Sequence, residues 1–265
     1  MCLLFFQSKN NPSEDEYKLV LVNVRDEFYT RPAHPARFWP ENPNIIGGQD
    51  ALRGRYGGTW FAMNKQNGRI GVLLNILQPN SELVSSKLGR GFIVNDYLTG
   101  GDDHESFLKK LSENGSNYNG FQTIALQVED RGVSGSYYSN FESIYSSKRG
   151  DSQEGRSSPP VTLSEGIHTF GNSLNPLEPW PKVTYGRKRF EGVMAKHKTT
   201  ASKEELINDL FDMMFDKTLL PVDENMMVQG RGRELDNLRK LSSLCVEMSD
   251  CMYGSRLVVF KVTVR

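Results

Sequence analysis

The order of apolar patterns along the chain predicts an α+β fold built as one domain over residues 1–265. Short β-branched or aromatic runs dominate the first half, and two of them flank Asn67-Gly68, a dipeptide typical of hairpin turns. Helical periodicity dominates after residue 180, before a last alternating run. Because strands and helices are grouped along the chain, the pattern favours the α+β class. A chain of 265 residues can bury a single large core.

Two apolar runs at the start of the chain, residues 2–7 and 17–24, predict a pair of strands. The turn residues at 10–13 connect them. If the two strands pair, Cys2 at the start of the first comes close to Arg25 at the end of the second.

Residues 30–58 contain four prolines and five glycines, which predicts an irregular loop. Loops of this length inside a compact domain are usually functional. Residues 59–64 and 69–76 are then expected to form the hairpin around Asn67-Gly68, and residues 90–98 a short helix.

Asp102, followed three residues later by a glutamate, has the spacing of a capping box and predicts the start of another helix. Residues 121–128 and 133–138 are typical of a second hairpin. Residues 146–160 are polar and rich in Gly, Ser and Pro, so we expect an exposed or disordered loop without function. Residues 166–171 predict a short strand.

The last third of the chain shows helical periodicity. Residues 180–198 predict one helix, and Ser202 with a glutamate three positions later predicts the cap of the next. That helix carries a wide apolar stripe made of Leu206, Ile207, Leu210, Phe211, Met214 and Phe215. Residues 221–237 are expected to form a charged loop, and residues 257–264 a final strand.

The composition bounds the class of protein. Apolar residues make up 37%, charged residues 24%, and the net charge is zero, which gives no electrostatic reason to expect a nucleic-acid partner. No apolar run is long enough to span a bilayer, and no secretory signal precedes the first strand. The three cysteines, Cys2, Cys245 and Cys251, show neither metal-ligand spacing nor an even disulfide framework. We therefore expect a cytoplasmic protein without a transmembrane segment.

Cys2 is the sharpest candidate for chemistry, because it follows the initiator methionine directly. Removal of Met1 would leave an α-amine that titrates near neutral pH and can accept the thiol proton. Arg25 would favour the thiolate, and Asp26 would hold the α-ammonium. The alternative is that the charged triplet 25–27 is a solvated turn and Cys2 a small buried residue at the start of a strand.

A second constellation combines Arg31, His34 and Arg37, and Pro32 and Pro35 hold this segment extended. Two guanidinium groups and an imidazole suit a ligand that carries a carboxylate. A solvated basic loop is the alternative interpretation.

Four aromatic residues, Phe38, Trp39, Tyr56 and Trp60, either line an apolar cleft beside this segment or belong to the core. Arg90 lies between two glycines in a turn that precedes a predicted helix. Backbone N–H groups at the start of a helix can bind an anion, so this turn is a candidate anion site.

The histidines give no metal site. His197 lies on the apolar face of a predicted helix, where we interpret it as a residue at the edge of the core rather than a metal or haem ligand. His104 is expected in an exposed first helical turn, and the role of His168 in its predicted strand stays open.

Several short motifs occur in a specific order. They are Met1-Cys2, Arg25-Asp26-Glu27-Phe28-Tyr29-x-Arg31-Pro32, Phe38-Trp39, Gly47-Gly48-Gln49-Asp50, Gly57-Gly58-Thr59-Trp60, Gly89-Arg90-Gly91, Tyr118-Asn119-Gly120-Phe121, Pro179-Trp180-Pro181-Lys182 and Tyr253-Gly254-Ser255-Arg256. In this order the chain resembles the NRDE family, also called the Transport and Golgi organisation protein 2 family, over nearly its whole length. Two departures stand out: the family's Asn before Arg-Asp-Glu is Val24 here, and its Glu-Leu after Arg-Gly is Phe92-Ile93.

The resemblance implies an N-terminal nucleophile hydrolase-like fold, a four-layer αββα sandwich with two stacked antiparallel sheets and the first residue at the end of a central strand. Amide hydrolases that start with cysteine use a Cys, an Arg, an Asp, two Asn and a late Arg. The matching residues here are Cys2, Arg25, Asp26, Asn75, Asn172 (with Asn175 as an alternative) and Arg256.

The resemblance also implies a function, intracellular trafficking of haem from storage or synthesis compartments to the cytosol, with ties to lipid and acyl-CoA homeostasis and Golgi organisation. Haem is then a transient cargo, not a tightly bound cofactor, and mitochondria, the Golgi or lysosome-related organelles are the membranes visited. The partner is haem or another small apolar carboxylate. Its expected contacts are Arg31, His34, Arg37, Phe38, Trp39, Trp60 and Arg90. The alternatives are a Cys2-dependent amide or thioester hydrolase and a scaffold that keeps an idle hydrolase fold.

Overall fold

The computed structural model describes residues 2–140, 159–174 and 178–263, with the backbone alone for 257–263. The strands are Cys2–Ser8 (β1), Leu19–Phe28 (β2), Ala33–Trp39 (β3), Asn42–Asp50 (β4), Phe61–Asn64 (β5), Arg69–Asn75 (β6), Phe121–Glu129 (β7), Gly132–Ser139 (β8), Val161–Thr162 (β9), Gly166–Phe170 (β10), Glu247–Met248 (β11) and Tyr253–Thr263 (β12). The helices are Phe92–Thr99 (α1), His104–Glu113 (α2), Pro181–Lys196 (α3), Lys203–Met214 (α4), Glu224–Gln229 (α5) and Leu235–Lys240 (α6).

The strands form two antiparallel sheets. One sheet has the order β10-β1-β2-β12-β11, and the other follows the chain from β3 to β9. β1 and β2 therefore lie inside the five-stranded sheet, with a hydrogen-bonded neighbour on each side.

The side-chain alternation along β1 explains why both faces of this sheet are covered. Leu4 and Phe6 point into the core between the two sheets, where they join Leu21 of β2. Leu3 and Phe5 point to the opposite face. Because successive strand residues face opposite sides, a strand buried on both sides is apolar throughout, as β1 is.

Helices cover the two outer faces. α3 and α4 pack on the five-stranded sheet through residues such as Phe190 and Leu210. α1 and α2 pack on the seven-stranded sheet through Tyr97 and Leu108. The predicted α+β architecture, with two stacked antiparallel sheets between helical layers, is confirmed.

The predicted hairpins are confirmed as β5–β6 and β7–β8. The interpretation of residues 30–58 as an irregular loop is wrong, because they contain β3 and β4. β3 is the edge strand of its sheet. Proline is tolerated in an edge strand, because one side of that strand forms no ladder hydrogen bonds, and this explains Pro35.

The interpretation of residues 221–237 as a charged loop is also wrong. This segment contains α5 and the start of α6, each only six residues long and each with few buried side chains. Asp223 caps α5 by accepting the backbone N–H of Met226 at 2.8 Å. Such short helices leave almost no periodicity to detect.

Details at helix termini differ from prediction. Asp103, not Asp102, caps α2. Ser202 makes no cap hydrogen bond to α4, because its hydroxyl bonds a histidine ring instead. On α4 the apolar stripe is narrower than expected, since Phe211 and Phe215 are exposed.

Two further predictions concern the polar loop and membrane-spanning helices. Residues 146–158 of the predicted exposed loop lie outside the described residues. In the described ranges, no helix combines the length and apolarity that crossing a membrane requires.

Candidate functional site at the end of the central strands

The register of β1 and β2 brings the first candidate residues together. Cys2 pairs with Arg25, as expected from the two apolar runs. β2 does not end at residue 24 but continues through the triplet 25–27, so these charges lie in a strand and not in a solvated turn. Pairing with β12 supports this extension and sets Ser255 opposite Asp26.

A cavity of about 230 Å³ opens at this end of the sheets. The buried Cys2 and Trp60 lie at its base, and the exposed Leu88 and Phe92 form its edge. Its charged lining consists of four arginines and three acids, Arg25, Arg31, Arg55, Arg90, Asp26, Glu27 and Asp50. The cavity is thus polar inside and apolar at its edge.

Cys2 is held through its backbone. Its N–H donates to Asn172 Oδ1 at 2.8 Å, and Asn172 Nδ2 donates to the carbonyl of Asn75 at 2.5 Å. Burial raises the pKa of the Cys2 thiol, and Arg25 lowers it less than burial raises it. Arg25 thus acts on the thiol pKa in the predicted direction, but burial has the larger effect. The alternative residue Asn175 lies outside the described residues.

A chain of alternating charges runs along one side of the cavity. The Arg25 guanidinium lies 3.9 Å from the centre of the Trp60 ring and donates to Glu27 at 3.1 Å. Glu27 also lies 3.5 Å from Arg31, which bonds Asp50 at 2.6 Å. The half-buried Glu27 and the buried Asp50 thus hold two of the arginines in fixed positions.

Two glycine-containing segments build the facing side. The backbone at Gly58 approaches Gly91 so closely that a side-chain carbon on Gly58 would lie 3.2 Å from the Gly91 Cα. Arg90 donates to the carbonyl of Gly120 at 2.6 Å. Burial, followed by the like charge of Arg55, lowers the pKa of Arg90 to about 10, so Arg90 stays a cation at neutral pH.

Asp26 and Arg256 have different surroundings. Asp26 accepts the Ser255 hydroxyl at 2.6 Å and lines the cavity. Arg256 donates to the backbone carbonyls of Phe28, at 3.0 Å, and Arg31. It does not line the cavity, so the structure gives it a role in holding the loop after β2, not the predicted role near Cys2.

Four of the predicted ligand contacts do not line the cavity. Arg37 and Phe38 are exposed on β3, and His34 packs edge-on against Tyr56. Trp39 is buried in the core beneath α1 and donates to a backbone carbonyl of β4 at 3.1 Å. The predicted cleft was wrong for these residues, because β3 is a strand that turns them to different sides and away from Cys2.

A residue that sequence reasoning missed supports the base of the site. Gln229 is buried and donates to the carbonyls of Asn172, at 3.0 Å, and Leu77, at 2.9 Å. Its oxygen accepts from the Trp180 ring nitrogen at 2.9 Å. No motif marked Gln229, which lies on a short helix predicted as loop.

His197 belongs to a separate cluster. One ring nitrogen lies 2.9 Å from the Ser202 hydroxyl, and the other 2.7 Å from Asp209. Lys196 also bonds Asp209. The interpretation of His197 as a residue at the edge of the core is confirmed, since it is buried where α3 meets α4. Among the described residues, this cluster included, no group of three or more His, Cys, Asp or Glu side chains is arranged to hold a metal.

Comparison with known proteins covers nearly the entire chain. A family profile described as Transport and Golgi organisation 2 matches residues 1–262. The chain is 34% identical to a mouse protein named "Transport and Golgi organization 2 homolog", over 97% of this chain and 86% of that protein. It is 35% identical to the cattle homologue over 97% and 86%. It is 31% identical to the Drosophila melanogaster "Transport and Golgi organization protein 2" over 97% and 85%.

Proposed function

The chain belongs to the Transport and Golgi organisation 2 family, and from this premise we propose that it carries haem, or a similar apolar carboxylate, between membranes and the cytosol. In this proposal it takes haem from storage or synthesis compartments, such as mitochondria or lysosome-related organelles. Its relatives are named for transport and Golgi organisation, which fits a role in movement between compartments. The observation that carries the proposal is a cavity with arginines inside and apolar side chains at its edge.

The arginines supply the attraction for a carboxylate. Arg25 and Arg31 are engaged by acids, but in the described part of the chain neither Arg55 nor Arg90 forms an ion pair with a carboxylate. Guanidinium groups bind carboxylates in a bidentate manner, so these two offer the strongest contacts to an incoming acid.

The opening of the cavity decides how a cargo is held. The cavity of about 230 Å³ is open to solvent, and in this proposal it receives the acidic end group of the cargo. The apolar body then rests on Leu88 and Phe92, which are 56% and 45% exposed. A cargo that remains largely outside can leave easily, as transport requires.

An absorbance titration with haem tests the proposal. Arg55→Ala should weaken binding about fivefold or less, because exposed charge pairs contribute little, and Arg53→Ala on the same loop is the matched control. Haem with esterified propionates should bind more weakly than haem itself. Equal affinity for both ligands and both variants would rule out carboxylate recognition at this cavity.

The same titration with a long-chain fatty acid and an acyl-CoA tests the lipid alternative. Preference for these over haem would assign the cavity to lipid homeostasis, while the role of the arginines would stand.

A Cys2-dependent amide or thioester hydrolase is the second candidate function. It is favoured by the bond from the Cys2 nitrogen to Asn172 and by the position of Cys2 in the cavity lining. Intact mass of the purified protein reports whether Met1 is removed. Turnover of an amide and thioester panel that disappears in Cys2→Ala would establish this activity, and no turnover in a processed protein would exclude it for the tested substrates.

A further inference from the structure

Two loop segments at the mouth of the cavity carry exposed apolar side chains. One segment is residues 51–57, between β4 and β5, and the other is residues 83–92, which lead into α1. Their apolar residues are between 37% and 65% exposed, and they are Leu52, Tyr56, Leu83, Val84, Leu88 and Phe92. We call these two segments together the mouth face.

The two segments lie side by side and form one surface. The Arg55 guanidinium lies against Gly89, so closely that a side chain on Gly89 would collide with it. The N–H of Thr59, just after the first segment, donates to the carbonyl of Gly91 at 3.0 Å. The backbones of the two segments are therefore fixed to each other.

The second segment is also fixed to the cavity. Val84 and Asn119 exchange two hydrogen bonds of 3.0 Å, and Asn119 lines the cavity. The N–H of Leu88 donates to the carbonyl of Asn117 at 3.0 Å. Because the backbone is held in this way, the side chains of Val84 and Leu88 can leave water only by contact with another surface.

The charge of the mouth face has one sign. The two segments contain no acid. Their cations, in a chain whose net charge is zero, are Arg53, Arg55, Lys87 and Arg90. The acids that flank the segments, Asp50 and Glu82, are each paired with an arginine, at 2.6 and 3.0 Å. An anionic surface is therefore the complementary partner.

The order of residues favours a lipid surface over a protein. Cations alternate with apolar residues along both segments, as in Leu52-Arg53 and Lys87-Leu88. The centre of a protein–protein interface is depleted of charge. A bilayer that contains acidic lipids places phosphates and apolar chains next to each other at every point, so it matches the alternation without a complementary shape.

We propose that the mouth face docks on an anionic membrane, with its apolar side chains in the headgroup region and its cations on lipid phosphates. Docking in this orientation turns the opening of the cavity toward the acyl chains, so a cargo passes between lipid and cavity without crossing water. The purpose of docking thus rests on the proposed transport, but binding to a vesicle requires no cargo.

Sedimentation of the intact protein with sucrose-loaded vesicles, in the absence of haem, tests the proposal. Vesicles of phosphatidylcholine with about one third phosphatidylserine should bind the protein about tenfold more strongly than phosphatidylcholine alone, because each cation near an anionic surface contributes. Added salt should reduce this difference. Equal binding to both vesicles would overturn the proposal. Failure to sediment with either would also overturn it, and would leave a protein as the partner of this face.

Variants locate the contact. The double variant Leu83→Ser, Val84→Ser should weaken vesicle binding about tenfold, and Arg53→Ala about fivefold. The matched controls, exposed at other places, are Val161→Ser on β9, at the sheet edge opposite β3, and Lys198→Ala, near the far end of β1 from the cavity. Both controls should bind like the wild type, and losses equal to those of the mouth-face variants would overturn the proposal.

A variant that gains a signal reports insertion directly. Val84→Trp places a tryptophan on the mouth face, and vesicles with brominated acyl chains should quench its emission, whereas Val161→Trp should not be quenched. The native tryptophans are buried and give a low background. Absence of quenching in Val84→Trp would overturn the proposal even if the protein sediments.

Docking and cargo binding can fail separately. Leu83, Val84 and Arg53 do not line the cavity, so their variants should titrate with haem in solution like the wild type. Vesicle binding without haem binding would keep the docking surface and reject the cargo. Haem binding without vesicle binding would reject the docking surface and keep the cargo.

Discussion

Two buried polar clusters, one around Cys2 and one around His197, show how differently polar groups are placed in the same fold. In the His197 cluster, both ring nitrogens are bonded, to Ser202 and to Asp209, and the group fastens α3 to α4. In the Cys2 cluster, the thiol lines an open cavity. The amine of Lys182, buried at the start of α3, has no hydrogen bond from the described residues.

The difference separates polar groups that hold the fold from those available to a ligand. A closed set of hydrogen bonds satisfies its members and offers nothing to bind. Burial of charge beside an open cavity is instead typical of functional sites, because the protein gives up stability there. On this criterion the His197 cluster serves the fold, and the Cys2 cluster is the candidate for function, although sequence alone marked both.

The largest effect is expected where the functional cluster depends on a structural bond. Asn172→Leu removes the partners of the Cys2 nitrogen and the Asn75 carbonyl, and Asn172 is fully buried. We expect the free energy of unfolding to fall by about 3 kcal/mol, measured in urea, because two buried backbone groups lose their bonds. Asn208→Leu, exposed on α4, is the control and should change stability by less than about 0.5 kcal/mol.

His197→Ala tests the structural cluster. Loss of a buried side chain that makes two hydrogen bonds should lower the free energy of unfolding by about 2 kcal/mol. Haem binding and Cys2 alkylation should stay at wild-type values, and the neighbouring exposed Lys198→Ala should change neither property. A marked fall in Cys2 reactivity in a folded His197→Ala protein would break the distinction between the clusters.

Lys182→Met should act in the opposite direction on stability. Replacing an unpaired buried cation by an apolar side chain of similar shape should raise the free energy of unfolding by about 1 kcal/mol at neutral pH. Because the folded-state pKa of Lys182 lies below the ordinary value, the unfolded chain binds more protons there. The wild-type protein therefore gains stability as pH rises toward 10.5, and the advantage of the variant should shrink. Urea denaturation of both proteins at two pH values measures this change. An equal difference in the free energy of unfolding at both pH values would contradict the interpretation of Lys182 as an unpaired buried cation.

The smallest expected effect is on haem affinity, and it should distinguish two arginines that the sequence predicted to bind the same carboxylate-bearing ligand. Arg31 lines the cavity, whereas Arg37 is exposed on β3. Arg31→Ala should weaken haem binding about threefold, since an ion-paired side chain at a solvated opening contributes little. Arg37→Ala should leave the titration unchanged, and a larger loss in Arg37→Ala than in Arg31→Ala would move the ligand to the other side of β3.

The fold was largely predictable because its inner strands carry a strong signal. The apolar run of β1 and the Asn67-Gly68 turn between β5 and β6 are read directly from local sequence. β3 was missed because it is an edge strand, and edge strands tolerate proline, as at Pro35. β4 is an inner strand and was missed because Pro43, Gly47 and Gly48 give it the composition of a loop. α5 and α6 were missed because six residues contain less than two helical turns.

The candidate site was predictable only where motifs named its residues. Cys2, Arg25 and Asn172 come together as strand pairing and resemblance suggested. Arg55 and Gln229 were missed, because one lies in a turn and the other on a short helix, and only the folded backbone brings either near the cavity. Whether Cys2 ionises depends on the balance of burial and charge, which no linear pattern contains.

The position of β1 has a practical consequence for recombinant work. Because Cys2 both begins this strand and lines the cavity, an affinity tag fused ahead of it would emerge at the opening itself and compete with any cargo. β12 runs the other way: Thr263 pairs with Leu19, at the end of β2 farthest from Arg25. A tag placed after β12 leaves from that far end, so purification handles belong there if uptake of a ligand is to be measured at all.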